Sequence, residues 1–222
     1  MCIAAYKPAN ITIPEETLRR MYNANPDGAG LMYAQNGTLY ITKGLMTEDD
    51  FVAAALAIPA ECPAVLHCRI ASHGSVCPRL THPFAVAKSV KEITPLYAEI
   101  TSGYAVAHNG IIRDMHIGAD DISDTVAYVR DILYPLSRCG SLTTDRFRAI
   151  INKTIDYSRL AIMEPSGKTA LYGSGWIWDG GVAYSNSSYK PYKPVCRVYK
   201  YKDWDELDDS EINQYISSLY NK

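Results

Sequence analysis

Tyr104-Ala105-Val106-Ala107-His108-Asn109-Gly110 is a short apolar run that ends in three residues suited to a turn or to chemistry. Its first four residues have the composition of a buried β-strand. Asn-Gly is the dipeptide most typical of a tight hairpin, so taken alone the end of this run predicts a turn. The run therefore predicts a strand over 104–107 that carries His108, Asn109 and Gly110 at its end.

Further strands and helices are predicted in blocks on both sides of this strand. Strands follow from short apolar or alternating runs, with a hairpin turn at Asn36-Gly37. Helices follow from capping residues, such as Thr12 and Thr47, followed by apolar residues at helical spacing. Because these blocks do not alternate strictly between strand and helix, they favour an α+β protein with mostly antiparallel sheets and outer helices. The predicted strands are 3–6, 30–34, 39–42, 64–70, 104–107, 159–163, 169–172, 176–179 and 182–185, and the predicted helices are 12–22, 47–58, 123–136, 143–155 and 212–219.

The composition limits the kind of protein. The 222 residues are 47 % hydrophobic, which supplies a sizeable core, and the net charge of −2 argues against a general binder of nucleic acids or anionic membranes. No apolar run has the length of a membrane span, and the start of the chain lacks the pattern of a secretory signal. The six cysteines have no paired spacing, so we expect reduced thiols and a cytoplasmic protein.

The chain begins Met1-Cys2, which offers an unusual nucleophile. A small second residue allows removal of the initiator methionine, and Cys2 would then carry a thiol and a free α-amine on one residue. Their pKa values are roughly 8.5 and 8, so the amine can take the thiol proton near neutral pH. The thiolate attacks carbonyl carbon, and the side-chain amide of Asn109 with the backbone N–H of Gly110 supplies two donors for the resulting oxyanion.

Six short polar motifs occur in a definite order along the chain. They are Cys2, Asp27-Gly28-Ala29-Gly30, His67-Cys68-Arg69-Ile70-Ala71-Ser72-His73-Gly74, Thr81-His82-Pro83-Phe84, Ala107-His108-Asn109-Gly110-Ile111-Ile112 and Ser123-Asp124-Thr125. Together they resemble the class II (N-terminal nucleophile) glutamine amidotransferase family, in its small stand-alone glutaminase-domain form. The resemblance covers about residues 2–135 and continues more weakly to about 185. The chain departs from the family pattern at Asn25-Pro26, Gly28, Ile70 and Val126.

The resemblance implies a pocket for a zwitterionic amino acid. By the family pattern Arg69 holds the α-carboxylate of glutamine and Asp124 its α-ammonium, and opposite charges on two sides are what such a ligand requires. Two other interpretations stay open, in which Arg69 is a buried structural cation and Asp124 only caps a helix. The remaining implied positions are Cys2 as nucleophile, Asn109 and Gly110 as oxyanion hole, Ser72 and His73 in the pocket wall, and His82 beside the pocket.

The resemblance also implies a fold, a reaction and partners. The fold is a four-layer α/β/β/α sandwich of two mostly antiparallel sheets, the N-terminal nucleophile hydrolase fold, over residues 1–188, with an arm and helix over 189–222 packed on it. The reaction is hydrolysis of the glutamine side-chain amide through a Cys2 γ-glutamyl thioester, without metal or cofactor. Because the chain ends too soon for a synthase domain, we expect the ammonia to go to a separate synthase or to be lost.

Three alternatives remain from the sequence. The same pocket could accept γ-glutamyl peptides, since their γ-glutamyl head carries the same charges. A metal site is suggested by five histidines and three cysteines between residues 62 and 116, but they lack the close spacing of zinc motifs. A non-catalytic binding protein on the same scaffold could use the Tyr/Lys-rich stretch 189–202 to contact a partner or nucleic acid.

Overall fold

The structure of the chain is a computed structural model, which describes residues 2–71, 75–113, 115 and 122–191. Besides its strands and α-helices, this part contains a π-helical turn at Val129–Leu133 and 3₁₀ turns at Pro78–Leu80 and Asp145–Phe147. The strands are β1 (Ile3–Lys7), β2 (Ala29–Gln35), β3 (Thr38–Leu45), β4 (Ala64–Cys68), β5 (Phe84–Ala85), β6 (Tyr97–Ile100), β7 (Ala105–Asn109), β8 (Arg159–Met163), β9 (Thr169–Tyr172), β10 (Ile177–Asp179) and β11 (Val182–Tyr184). The helices are α1 (Glu15–Asn23), α2 (Glu48–Leu56), α3 (Val90–Ile93), α4 (Asp124–Tyr128), α5 (Tyr134–Cys139) and α6 (Arg148–Thr154).

The strands form two sheets. The larger sheet has the order β10-β11-β1-β4-β2-β3-β6, and the smaller has the order β5-β7-β8-β9. Every strand pair described in either sheet is antiparallel. The prediction of an α+β protein with antiparallel sheets is therefore confirmed.

Three apolar clusters show how the sheets and helices are layered. The first cluster joins Phe51 of α2 to one face of the larger sheet, including Leu66 of β4. The second lies between the sheets and brings Val65 together with Ala105 and Ala107. The third joins Val106 and the other residues on the far face of the smaller sheet to helices α4 and α6. This succession is compatible with a four-layer sandwich.

Local sequence features account for several element boundaries. Asn36 and Gly37 have φ values of 50° and 76°, which is the geometry of the predicted two-residue hairpin between β2 and β3. Thr47 accepts a hydrogen bond from the backbone N–H of Asp50 and caps α2, as its sequence position predicts. The prediction of Thr12 as the cap of α1 is wrong. Pro14 occupies that position in an extended conformation, so the helix begins only at residue 15.

The predicted helix over 123–136 is interrupted. Ser123 caps α4, but the chain passes through the π-helical turn before α5, which ends at Cys139. Pro135 lies in the first turn of α5, and its missing N–H and bulky ring prevent a regular α-helix from running through it. The widened turn accommodates this residue. The helix predicted over 143–155 likewise begins late, at Arg148 after a 3₁₀ turn.

The end of the described chain packs on the larger sheet. The Tyr189 ring stacks on Tyr184 of β11 with centroids 3.6 Å apart, and its hydroxyl donates to Asp179 at 2.7 Å. Residues 192–222, with most of the predicted arm and its helix, lie outside the described residues. Within the described ranges, no helix is long and apolar enough to cross a membrane.

Candidate active site

The alternation of side chains along two strands directs Cys2 and Asn109 toward the space between the sheets. In β7, Ala105 and Ala107 face the larger sheet and Val106 faces the helices, so Asn109 also faces the larger sheet. In β1, Ile3 packs with the outer helices, so Cys2 just before it continues the opposite, inward face. Two strands from different sheets thus bring a thiol and an amide to one region.

A cavity of about 470 Å³ lies at this place. All three residues that the sequence predicts to be catalytic line it, namely Cys2, Asn109 and Gly110. Its volume falls within the usual range for small-molecule sites. The other residues that line it are Ile70, Ala71, Ile111, Arg113, Asp156, Tyr157 and Ser158.

The Cys2 residue is held on two sides. Its sulfur accepts a hydrogen bond from the Ile70 backbone N–H and donates to the Ile70 carbonyl, each at 3.4 Å. Its own carbonyl accepts from the Asn186 side-chain amide at 2.6 Å. Burial raises the pKa of the Cys2 thiol, and the Ile70 N–H opposes this effect by stabilising the thiolate. The thiol therefore needs a nearby base to ionise at neutral pH.

The Asn109 side chain makes one strong contact in the interior. Its Nδ2 lies 2.8 Å from Ser185 Oγ, which also accepts a 2.8 Å hydrogen bond from the backbone N–H of Ala4. Its Oδ1 is buried and has no hydrogen-bond partner among the described residues. The amide is thus tied to the end of β11, next to β1, which begins directly after Cys2.

Gly110 occupies a position that excludes any side chain. Its φ is 141°, and an added Cβ would lie 2.7 Å from Ser158 Cβ and 2.9 Å from Ser158 Cα. Ser158 is itself buried and donates from Oγ to the Ile111 carbonyl at 3.1 Å. This packing fixes the backbone directly after Asn109, which is where a second oxyanion donor is predicted.

Arg69 is a buried cation, with only 6 % of its surface exposed. Its guanidinium donates to the Ser75 carbonyl at 3.0 Å, and no carboxylate among the described residues forms an ion pair with it. It does not belong to the cavity wall, although the adjacent Ile70 and Ala71 do. A buried cation without a counter-charge is costly, so an anionic ligand would relieve it.

Asp124 lies in the cap region of α4, and Ser123 is the N-cap itself. One carboxylate oxygen accepts from the backbone N–H of Thr125 at 2.7 Å, and the other accepts from that of Ile112 at 2.7 Å. The predicted cap-region position is confirmed. Asp124 does not line the cavity, and its binding of an ammonium group stays a prediction.

His82 belongs to a buried cluster of three histidines and not to the cavity wall. Its ring centroid lies 4.3 Å from that of His67 and 6.0 Å from that of His108. The Thr125 hydroxyl bridges two of these rings, at 3.2 Å from His82 Nε2 and 2.7 Å from His108 Nδ1. One member of the cluster, His108, is the residue before Asn109, with which β7 ends.

Burial keeps all three imidazoles neutral. It lowers the pKa of His67 to about 3 and that of His108 to about 4, and it holds the pKa of His82 well below its usual range. His67 Nε2 donates to the His108 carbonyl at 2.9 Å, which fixes its tautomer. Among the described residues, no group of three histidine, cysteine or acidic side chains is arranged to hold a metal ion.

Two predicted pocket residues, Ser72 and His73, lie outside the described residues. The sequence interpretation missed other residues at the site, notably Ser185 and Asn186, which contact Asn109 and Cys2. Nothing local marks these two residues. Their contacts follow from the pairing of β11 with β1, which is a tertiary relationship.

No protein-family model matches the chain, and no curated protein matches it. Any assignment of function therefore depends on the geometry of the cavity and on the motifs of the sequence.

Proposed function

We propose that this chain is a class II glutamine amidotransferase-type amidohydrolase with the N-terminal nucleophile hydrolase fold. The observation that carries the proposal is the common cavity of Cys2, Asn109 and Gly110, three residues that are distant in sequence and suited to one reaction. The thiol is a nucleophile, and the amide and backbone N–H are donors for an oxyanion. The layered antiparallel sheets support the fold assignment.

The reaction begins once Met1 has been removed. The Cys2 α-amine takes the thiol proton, and the thiolate attacks the side-chain carbonyl carbon of glutamine. The oxyanion accepts hydrogen bonds from Asn109 Nδ2 and Gly110 N–H. The protonated amine then donates to the leaving nitrogen, so ammonia departs and a γ-glutamyl thioester remains. Water, deprotonated by the same amine, attacks the thioester and releases glutamate and the thiol.

The neighbouring charges suit the rest of the substrate. Arg69 is a buried guanidinium without a carboxylate partner among the described residues, and it would hold the α-carboxylate. Asp124 Oδ1 accepts from the backbone N–H and the hydroxyl of Thr125, whereas Oδ2 accepts only from the Ile112 N–H among the described residues, so Oδ2 keeps acceptor capacity for the α-ammonium. Ser72 and His73 would complete the pocket wall, and His82 would lie beside the pocket.

Two aspects of the proposal concern substrates and partners. The ammonia would pass to a separate synthase in the cytoplasm, and the half-reaction needs no cofactor. A γ-glutamyl peptide would present the same head group to Cys2, so the substrate must be decided by competition. Glutamine and γ-glutamyl peptides offered together, with separate measurement of ammonia and of the released amine, distinguish the two.

Glutamate release by the Cys2→Ala variant tests the assignment. We expect the parent to release glutamate and Cys2→Ala to release none above the buffer rate, with an unchanged fold by circular dichroism. Cys139→Ala is the matched control, because Cys139 is an exposed thiol, and it should retain the parent rate. Glutamate release by Cys2→Ala at the parent rate would contradict the proposal.

A further inference from the structure

The contact between Asn109 and Ser185 leaves two complementary groups unpaired. Ser185 Oγ accepts from the Ala4 N–H and, as the amide is oriented, from Asn109 Nδ2, so its hydroxyl hydrogen has no acceptor among the described residues. Asn109 Oδ1, the other end of the same amide, has no donor in the described part of the chain. A donor and an acceptor thus go unused within one pair of side chains.

A half-turn of the Asn109 amide pairs both groups. The oxygen and nitrogen of an asparagine side chain occupy nearly equivalent positions, and the hydrogen-bond network decides their assignment. In the turned orientation the Ser185 hydroxyl donates to Asn109 Oδ1 while its oxygen still accepts from the Ala4 N–H. The Nδ2 group then leaves Ser185 and takes the buried position of Oδ1, where it has no acceptor among the described residues, in a residue that lines the cavity.

We propose that Ser185 is a positioning residue that holds Asn109 Oδ1 and thereby directs Asn109 Nδ2 toward the oxyanion in the cavity. The catalytic part of this inference rests on the proposed function, and the orientation part does not. Without the Ser185 hydroxyl, either end of the amide could face the cavity, and a carbonyl oxygen facing an oxyanion would repel it.

The place of Ser185 in the fold suits this role. It is fully buried, its N–H donates to the Ala4 carbonyl at 2.8 Å, and its Oγ accepts from the Ala4 N–H. The hydroxyl is therefore fixed relative to β1, the strand that begins next to Cys2. The adjacent Asn186 holds the Cys2 carbonyl at 2.6 Å. Consecutive residues thus set the positions of the proposed nucleophile and of its oxyanion donor.

Neutron diffraction from deuterium-exchanged crystals of the unaltered protein tests the orientation directly. We expect a deuterium on Ser185 Oγ that points at Asn109 Oδ1 and two deuterium atoms on the end of the amide that points away from Ser185. Amide deuterium atoms directed at Ser185 would overturn the inference. This result does not depend on activity, so it decides the orientation even if the parent releases no glutamate, an outcome that would defeat the proposed function.

Steady-state kinetics tests the catalytic consequence. Ser185→Ala should lower kcat about 10-fold or more with little change in KM, because the oxyanion exists only in the transition state. Ser185→Thr keeps the hydroxyl and should recover most of this loss, and Ser187→Ala, an exposed serine two residues away, should match the parent.

A double-mutant comparison separates positioning from general loss of structure. Adding Asn109→Ala to Ser185→Ala should cost less than Asn109→Ala costs in the parent, because both changes weaken the same hydrogen bond from Asn109 Nδ2 to the oxyanion. Fully additive losses, or a change in KM alone, would overturn the positioning role.

Discussion

One carboxylate oxygen of Asp124 accepts a 2.7 Å hydrogen bond from the backbone N–H of Ile112. This contact ties the start of α4 to the segment that follows Asn109 and Gly110. The other oxygen of Asp124 accepts from the first turn of its own helix. Asp124 therefore supports the backbone at the proposed oxyanion hole, in addition to any contact with substrate.

The two roles of Asp124 can be separated by two substitutions. Asp124→Ala removes both acceptors and should lower the free energy of unfolding by about 1–3 kcal/mol. Asp124→Asn keeps one acceptor but no charge, so it should lose less stability and raise KM for glutamine by about 10-fold or more. Urea denaturation and glutaminase kinetics measure these effects. An unchanged KM in Asp124→Asn would remove the ammonium-binding role.

Gly110 should tolerate no side chain. Gly110→Ala places a Cβ against buried Ser158 at a φ of 141°, so we expect a loss of about 2–4 kcal/mol in unfolding free energy and of most activity. Gly37→Ala is the matched control, because Gly37 also has a positive φ but no atom within 4 Å of the added Cβ. It should lose only about 1 kcal/mol. Equal losses in the two variants would show that the contact with Ser158 is unimportant.

Arg69 and Arg113 offer a direct comparison of two arginines near the cavity. Arg69 is buried without a carboxylate partner among the described residues, whereas Arg113 is exposed on the cavity wall. Arg69→Lys keeps the charge but loses the two-pronged grip on a carboxylate, so KM for glutamine should rise about 10-fold or more. Arg113→Lys should change KM little. The reverse pattern would assign the α-carboxylate to Arg113.

The histidine cluster predicts an acid-sensitive fold. The pKa of His67 is lowered to about 3 and that of His108 to about 4, whereas the unfolded values lie near 6.5. Between these limits the unfolded chain binds more protons, so stability is fully present above about pH 6.5 and is lost as the pH falls. Each buried histidine contributes a slope of up to about 1.4 kcal/mol per pH unit.

Denaturation of the parent and of His108→Gln between pH 7 and 4 checks this slope. Glutamine has no proton to gain in this range, so the variant should lose stability less steeply, by about 1 kcal/mol per pH unit. The stability difference between the two proteins should therefore shrink as the pH falls. A constant difference over the whole range would contradict burial as the cause of the lowered pKa.

Much of the fold follows from local sequence patterns. The hairpin at Asn36-Gly37 and the cap at Thr47 depend on residues a few positions apart, and the structure has both. Two strands escaped prediction because their signals are weak. β5 has only two residues, and β6 alternates between exposed and half-buried positions at the edge of the larger sheet. Whether such segments form strands depends on their packing against a neighbouring strand.

The candidate site also has residues that can be predicted from the sequence and residues that cannot. Cys2, Asn109 and Gly110 could be named from motifs whose chemistry is recognisable in the sequence. Ser185 and Asn186 could not, because an ordinary serine and asparagine gain their roles only when β11 pairs with β1. The proposed nucleophile can be predicted from the sequence, whereas the residues that orient it require the tertiary structure.

The central claim is that the Cys2 thiol attacks substrate while its own free amine moves the proton. Intact-mass and peptide mass spectrometry of the protein, before and after reaction with a glutamine-mimicking electrophile, tests it most directly. We predict a mature chain that begins at Cys2 and takes up one label, located on that residue and blocked by excess glutamine. A chain that retains Met1, or a label that goes to Cys77 or Cys139 and leaves Cys2 unmodified, would contradict the claim.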